Sequence, residues 1–127
     1  MITDREKLME TRRHCKDLKH TEIAVQSLDF SGSILDVSPA WLDAMGYQRE
    51  EVIGRHFFEF LDKQSLMKVD SCFPRLKDFG YVDAVPLGLM RKDKSVLKVT
   101  LTGTSLYGPN GTFIRTFCEL TPAANEQ

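Results

Sequence analysis

The sequence predicts an α+β domain built on one antiparallel sheet, and three observations carry that prediction. Two short strand patterns precede a helical stretch and three longer ones follow it, a grouping unlike the alternating order of a parallel βαβ sheet. Val96 to Leu106 alternates cleanly, with Leu97, Val99, Leu101 and Gly103 on one face and Lys98, Thr100, Thr102 and Thr104 on the other. That is the mark of a half-buried antiparallel strand. Between the two groups, Ser38-Pro39, Gly46, Gly54, Asp62 and Gly80 punctuate the chain as helix starts and stops.

Taken in order, Thr3-x-x-Glu6 reads as a capping box and predicts a helix from Asp4 to about Lys19. Leu8, Thr11, Cys15 and Leu18 follow a three–four spacing along it. That seam reads either as a contact for a partner helix or as a helix lying on its own domain. Glu22 to Asp29 is the first strand, containing Ile23, Val25 and Leu28; Phe30-Ser31-Gly32-Ser33 is a turn, and Ile34 to Val37 returns to complete a hairpin. Ser38 caps the next helix with Pro39 at its first position, and Gly46 ends it. Arg49 to Ile53 forms a short helical turn stopped by Gly54, and His56 to Leu61 is a compact apolar stretch. Asp62 caps a longer helix over Lys63 to Phe79, whose Leu66, Val69, Phe73 and Leu76 share one face. Pro74 is expected to kink or split that helix. Three strands follow: Tyr81 to Arg91, Val96 to Leu106 and Thr112 to Thr121. Pro86 marks the first of these as an edge strand, because proline cannot donate to the ladder.

The chain's 127 residues fit one domain, divided as a flanking helix over residues 1–21, the domain proper over 22–121 and the start of a linker over 122–127. With 17 basic and 18 acidic residues there is no broad positive field for nucleic acid or anionic lipid. The one basic cluster, Arg12, Arg13, Lys16 and Lys19, is diluted by Glu6, Glu10, Asp17 and Glu22 and reads as a solvated helix face. Cys15, Cys72 and Cys118 form no Cys-x-x-Cys pair, so neither a zinc knuckle nor a redox dithiol is expected. Free thiols, a charged N-terminus and the lack of an apolar run near ~20 residues predict a cytoplasmic chain with no membrane span.

Three segments together resemble the PAS family. They are Ser38-Pro39-Ala40-Trp41-Leu42 through Gly46-Tyr47 to Glu50-Glu51-Val52-Ile53-Gly54-Arg55, then Arg91-Lys92-Asp93-Lys94-Ser95, then Asn110-Gly111 before a terminal strand. In the second, Lys94 stands where the family's Arg-Lys-Asp-Gly turn has glycine, which leaves the turn type open. The resemblance implies a five-stranded antiparallel sheet with short helices over one face and a pocket between them. Many relatives use that pocket for a cofactor or metabolite, and others leave it without a guest. It also implies a sensory or signal-relay role in a larger bacterial regulator, homodimerisation through an N-terminal helix, and an output domain not contained in these residues.

Several chemistries are disfavoured by the residues themselves. The family's flavin-adduct branch places Asn-Cys after Gly-Arg, whereas here Gly54-Arg55 is followed by His56-Phe57. No histidine lies on the long helix where the heme branch has its ligand. His14 and His20 fall on the N-terminal helix, and His56 reads as a capping residue. Cys72 could ligate iron in principle but reads first as a structural thiol. No metal-ligand spacing, phosphate loop or nucleophile elbow is present, so no enzyme is expected. What remains is an apolar pocket with candidate lining residues Trp41, Met45, Phe57, Leu66, Val69, Leu87, Leu89, Val99, Leu101, Gly103, Ile114, Thr116 and Cys118. They form either a cage for a small apolar or aromatic ligand or an ordinary filled core. Mid-strand Gly103 leaves room for a ligand or for a bulky neighbour such as Trp41.

The last strand admits two registers. Glu119-Leu120-Thr121 looks like the family's terminal Asp-x-Thr, but counting from Gly111 puts that motif at Pro122-Ala123-Ala124. In the second register Ile114, Thr116, Cys118 and Leu120 face inward, while Phe113, Arg115, Phe117 and Glu119 face outward. In the first, Arg115 points inward as a carboxylate clamp. Outward Phe113 and Phe117 need cover, from the helix bearing Leu8, Cys15 and Leu18 or from a partner subunit.

Overall fold

The computed structural model describes residues 23–122. The expected N-terminal helix, with Leu8, Cys15 and Leu18, lies outside them, as do residues 123–127. The described chain runs β1 (Ala24–Leu28), β2 (Ile34–Val37), α1 (Pro39–Met45), α2 (Arg49–Val52), a 3₁₀ turn (Phe57–Phe60), α3 (Lys63–Phe79), β3 (Tyr81–Met90), β4 (Val96–Tyr107) and β5 (Phe113–Pro122). The five strands form one sheet in the order β2-β1-β5-β4-β3, every neighbouring pair antiparallel. The hairpin joins the last three strands through Ala24↔Leu120, Val25↔Glu119 and Gln26↔Cys118.

The helix starts follow the local chemistry. Ser38 Oγ accepts from the Trp41 N–H at 3.4 Å and from the Val25 N–H at 2.9 Å, and it donates to the Ile23 carbonyl at 2.7 Å. One hydroxyl therefore caps α1 and fastens it to β1. Gly46 ends α1 in the left-handed conformation, φ +82°. Asp62 accepts from the Ser65 N–H at 2.9 Å to cap α3, and Gly80 ends it.

Pro74 does not divide α3, which runs unbroken from Lys63 to Phe79. The proline is exposed, while Val69, Phe73 and Leu76 around it bury their side chains against the sheet. Packing of that apolar face outweighs the roughly 3 kcal/mol that an interior proline costs.

β3 is an edge strand, as Pro86 requires, and the start of α3 closes part of that edge. Asp62 N–H donates to the Gly88 carbonyl at 3.0 Å, and Gly88 N–H donates to Ser65 Oγ at 2.7 Å. A side chain at Gly88 would strike the Asp62 carboxylate that caps the helix. The strand edge that could template foreign pairing is thus occupied by the protein's own helix cap.

The turn before β4 keeps its glycine-like geometry without glycine. Lys94 has φ +77°, and its N–H donates to the Arg91 carbonyl at 2.9 Å. A non-glycine residue held there costs about 1–2 kcal/mol. Lys94→Gly is therefore expected to stabilise the domain by about 1 kcal/mol, read as a higher urea midpoint at unchanged slope. An unchanged or lower midpoint would show that the lysine is not strained.

Candidate functional site

The inner face of the sheet, α1, the 3₁₀ turn and α3 enclose the core. Trp41, Met45, Phe57 and Leu89 are fully buried in it. Trp41 meets Phe60 edge to face at 5.8 Å between ring centroids. Between α3 and the sheet a cavity of about 30 Å³ remains, lined by Gln26, Phe57, Val69, Cys72, Leu101 and Cys118 among others. That is room for one or two guests of about the size of water.

Gln26 borders this cavity, whose surface is almost wholly apolar. Its side chain is fully buried, and Oε1 accepts from Trp41 Nε1–H at 3.0 Å. Because the indole N–H only donates, the amide oxygen must face the tryptophan, and the NH₂ is turned away from it. Nε2 has no hydrogen-bond partner among the described residues. The thiol of Cys118 lies on the same lining, and burial pushes its pKa up to about 12, a hydrogen bond with Thr116 only partly offsetting this. It is a neutral, unreactive group at physiological pH. Thr116 is fully buried and accepts from the Leu28 N–H at 3.1 Å, joining β5 to the irregular end of β1.

A second space of about 320 Å³ lies beneath α1, at the end of the sheet marked by Ile23 and Pro122. Its walls are almost wholly apolar, with Trp41, Met45, Leu89 and Val99 among them. The expected lining residues therefore divide. Trp41, Met45, Leu89 and Val99 border this space, whereas Phe57, Val69, Leu87, Leu101 and Cys118 border the inner cavity. The Trp41–Gln26 hydrogen bond links a wall of one to a wall of the other.

Several expectations need correction or completion. Gly103 does not open a space for a ligand or for Trp41: a Cβ there would lie 2.7 Å from Cys118 Sγ and 3.4 Å from Leu76 Cδ2, so those two side chains already fill the slot. Leu66 is half-buried against the core and, like the fully buried Thr116, borders neither space. Ile114 does not face inward. The β4–β5 pairing steps from Leu106↔Arg115 to Tyr107↔Phe113, which leaves Ile114 as the extra residue of a bulge and 48% exposed. Beyond the bulge the inward register of Thr116, Cys118 and Leu120 holds, and all three are buried. Before the bulge the faces reverse, so Phe113, expected outside, lies on the helix side, paired with Tyr107, whose hydroxyl donates to the Lys77 carbonyl, and edge to face with Phe30. Arg115 lies on the face of Phe117, its guanidinium carbon 5.8 Å from that ring, so it is no inward clamp. Pro122 belongs to β5, pairing with Val99.

His56 is a capping residue. Its Nδ1 accepts from the Phe58 N–H at 3.3 Å, and its Nε2 lies 2.7 Å from the Ser31 carbonyl. That pattern assigns the Nε2–H tautomer and occupies both nitrogens locally. Among the described residues no group of three His, Cys, Asp or Glu side chains could hold a metal ion. No helix among them is long and apolar enough to cross a membrane.

A family model described as PAS domain matches residues 22–122. Among solved structures, the PAS domain of a protein from Colwellia psychrerythraea is similar at 16% identity and TM-score 0.77, over 89% of this chain and 96% of that one. The PAS-B domain of Cycle from Drosophila melanogaster, solved with bound ethylene glycol, is similar at 12% identity and TM-score 0.74, over 80% of this chain and 100% of that one. A LOV protein from Rhodobacter sphaeroides is similar at 11% identity and TM-score 0.75, over 91% of this chain and 69% of that one. At these identities the likeness is one of fold. No curated protein matches the sequence.

The residues do not fit a flavin of the adduct-forming kind. The cavity between sheet and α3 is about 30 Å³, against the ~300–1,000 Å³ of ordinary ligand pockets. His56-Phe57, not Asn-Cys, follows Gly54-Arg55, so Phe57 stands at the thiol's place.

Proposed function

Because the chain belongs to the PAS domain family, we propose that it is a sensory and signal-relay module of a larger bacterial regulator, acting as a homodimer in the cytoplasm. PAS domains are generally sensory rather than catalytic, and the buried residues read as a scaffold. The observation that carries the relay reading is how little space remains between the sheet and α3. Between the sheet and α3, where many relatives keep a cofactor, this chain has Phe57, Leu76 and Cys118, with about 30 Å³ left over. Signals then pass by changes in packing between the sheet and its helices, not by a large resident group. The N-terminal segment with Leu8, Cys15 and Leu18 is our candidate for the dimer contact. The described residues leave Phe117 on the outer face only half-buried, which is consistent with a covering partner.

A second reading rests on the space under α1. At about 320 Å³ and nearly all apolar, it suits a small apolar or aromatic ligand held beside Trp41.

Native mass spectrometry of the purified chain separates these readings. The expected spectrum is a dimer with no bound organic cofactor, without visible absorbance, and removal of residues 1–20 is expected to shift it toward monomer. A stoichiometric apolar adduct would favour the second reading. A coloured cofactor would overturn the relay reading.

A further inference from the structure

We propose that the space under α1 and a polar cleft beside it form one site for an amphiphile, a small molecule with an apolar tail and an uncharged polar head. The inference rests on the second reading above, that the space under α1 takes a ligand, and adds the chemistry of that ligand.

Small side chains make the room for the tail. Ala40 and Ala44 lie about one turn apart on α1, and with Ala24 of β1 they line the space. Trp41 and Met45, the next pair along α1, are buried and line it too. The polar groups around these walls are already used. Trp41 Nε1–H is committed to Gln26 Oε1, and the backbone of the sheet here is paired through Ala24↔Leu120 and Val99↔Pro122. A tail that needs no hydrogen bond suits such walls, whereas a polar group buried there loses its water without replacement.

The neighbouring cleft has the opposite chemistry. It measures about 440 Å³, lies between the end of α1 and the β3–β4 turn, and is lined by Asp43, Gly46, Arg91, Lys92 and Asp93. Ala44 and Met45 are walls of both spaces. The cleft's two basic and two acidic side chains balance, and three of them have partners. Lys92 pairs with Glu51 at 2.7 Å, Arg91 donates to the Ala44 carbonyl and to Ser95 Oγ at 3.0 Å each, and Asp93 accepts from Ser95. A head of either net charge meets like charges here, while an uncharged head keeps access to water and to these hydrogen-bonding groups. One molecule lying across Ala44 and Met45 therefore matches both spaces.

The test uses the whole 127-residue chain, labelled with carbon-13 and nitrogen-15, and four six-carbon probes at neutral pH. They are 1-hexanol, hexanoate, hexylammonium and headless n-hexane. Binding is read from the indole resonance of Trp41, the chain's only tryptophan, and position from intermolecular nuclear Overhauser contacts. The expected result is saturable binding of 1-hexanol, at least threefold tighter than either charged probe, with its methyl end near Trp41 and its hydroxymethyl protons near Lys92. Ala40→Leu and Ala44→Leu, which fill the space from α1, are each expected to weaken it at least tenfold. Equal or tighter binding of a charged probe overturns the uncharged head. Hydroxymethyl contacts at Ile23 and Pro122 in place of Lys92 overturn the shared site, as does binding of hexane without binding of 1-hexanol. In those cases the space under α1 still takes a ligand. If neither hexane nor 1-hexanol gives a saturable shift, the second reading itself fails and takes the proposal with it, so the two failures are distinguishable.

Discussion

Trp41→Ala is expected to lower the unfolding free energy by about 3–5 kcal/mol, a large fraction of a small domain's stability. The ring is fully buried, meets Phe60 edge to face and walls the space under α1. Truncation leaves a void that neighbours from two layers would have to collapse into. It also removes the N–H that Gln26 Oε1 accepts, and that oxygen lies where water does not reach. Trp41→Phe separates the two losses. It keeps most of the ring but abandons the amide oxygen, at a cost of about 1–3 kcal/mol for an unsatisfied buried acceptor. Urea unfolding of both variants checks this. A loss below about 1 kcal/mol for Trp41→Ala would place the ring outside the cooperative core.

How much of this was legible in the sequence depends on how local each signal is. Ser38, Pro39, Gly46, Asp62 and Gly80 could be read directly, because a cap acts within three or four residues of itself. The edge position of β3 was legible from Pro86, since a missing N–H constrains the ladder wherever the strand sits. Pro74 misled for the complementary reason. Its local penalty is real, but the burial that outweighs it comes from strands far along the chain. Gln26 was invisible as a site residue. A glutamine in a strand reads as a solvated side chain, and only its meeting with Trp41, fifteen residues away, makes it a buried acceptor. Ile114 followed the period-two rule until a bulge displaced it, and nothing in its neighbours' side chains announces the extra residue. Gly103 was singled out correctly as a place where a side chain is missing, but its occupant could not be named. Cys118 sits above it only because β4 and β5 pair in one register, Gly103↔Cys118.

That pairing yields the second large effect. Gly103→Leu is expected to destabilise the domain by about 3 kcal/mol, at the upper end of overpacking costs, and not to fill a waiting pocket. A Cβ at this position would already stand 2.7 Å from Cys118 Sγ, and the branched remainder of leucine would drive into Leu76. Cys118 and Leu76 are both buried, and what they can retreat into is the small inner cavity that they line. The same contact makes a sharper claim about a smaller change. Gly103→Ala alone should destabilise, and Cys118→Ala alone should leave a small void. The double variant should cost less than their sum by about 0.5–3 kcal/mol, because alanine at 103 takes up the volume the thiol gives back. Additive losses would mean the strands shift to accommodate a side chain. The inner face of the sheet would then be pliable, and a relay that works by repacking α3 against a firm β4–β5 floor would lose its footing.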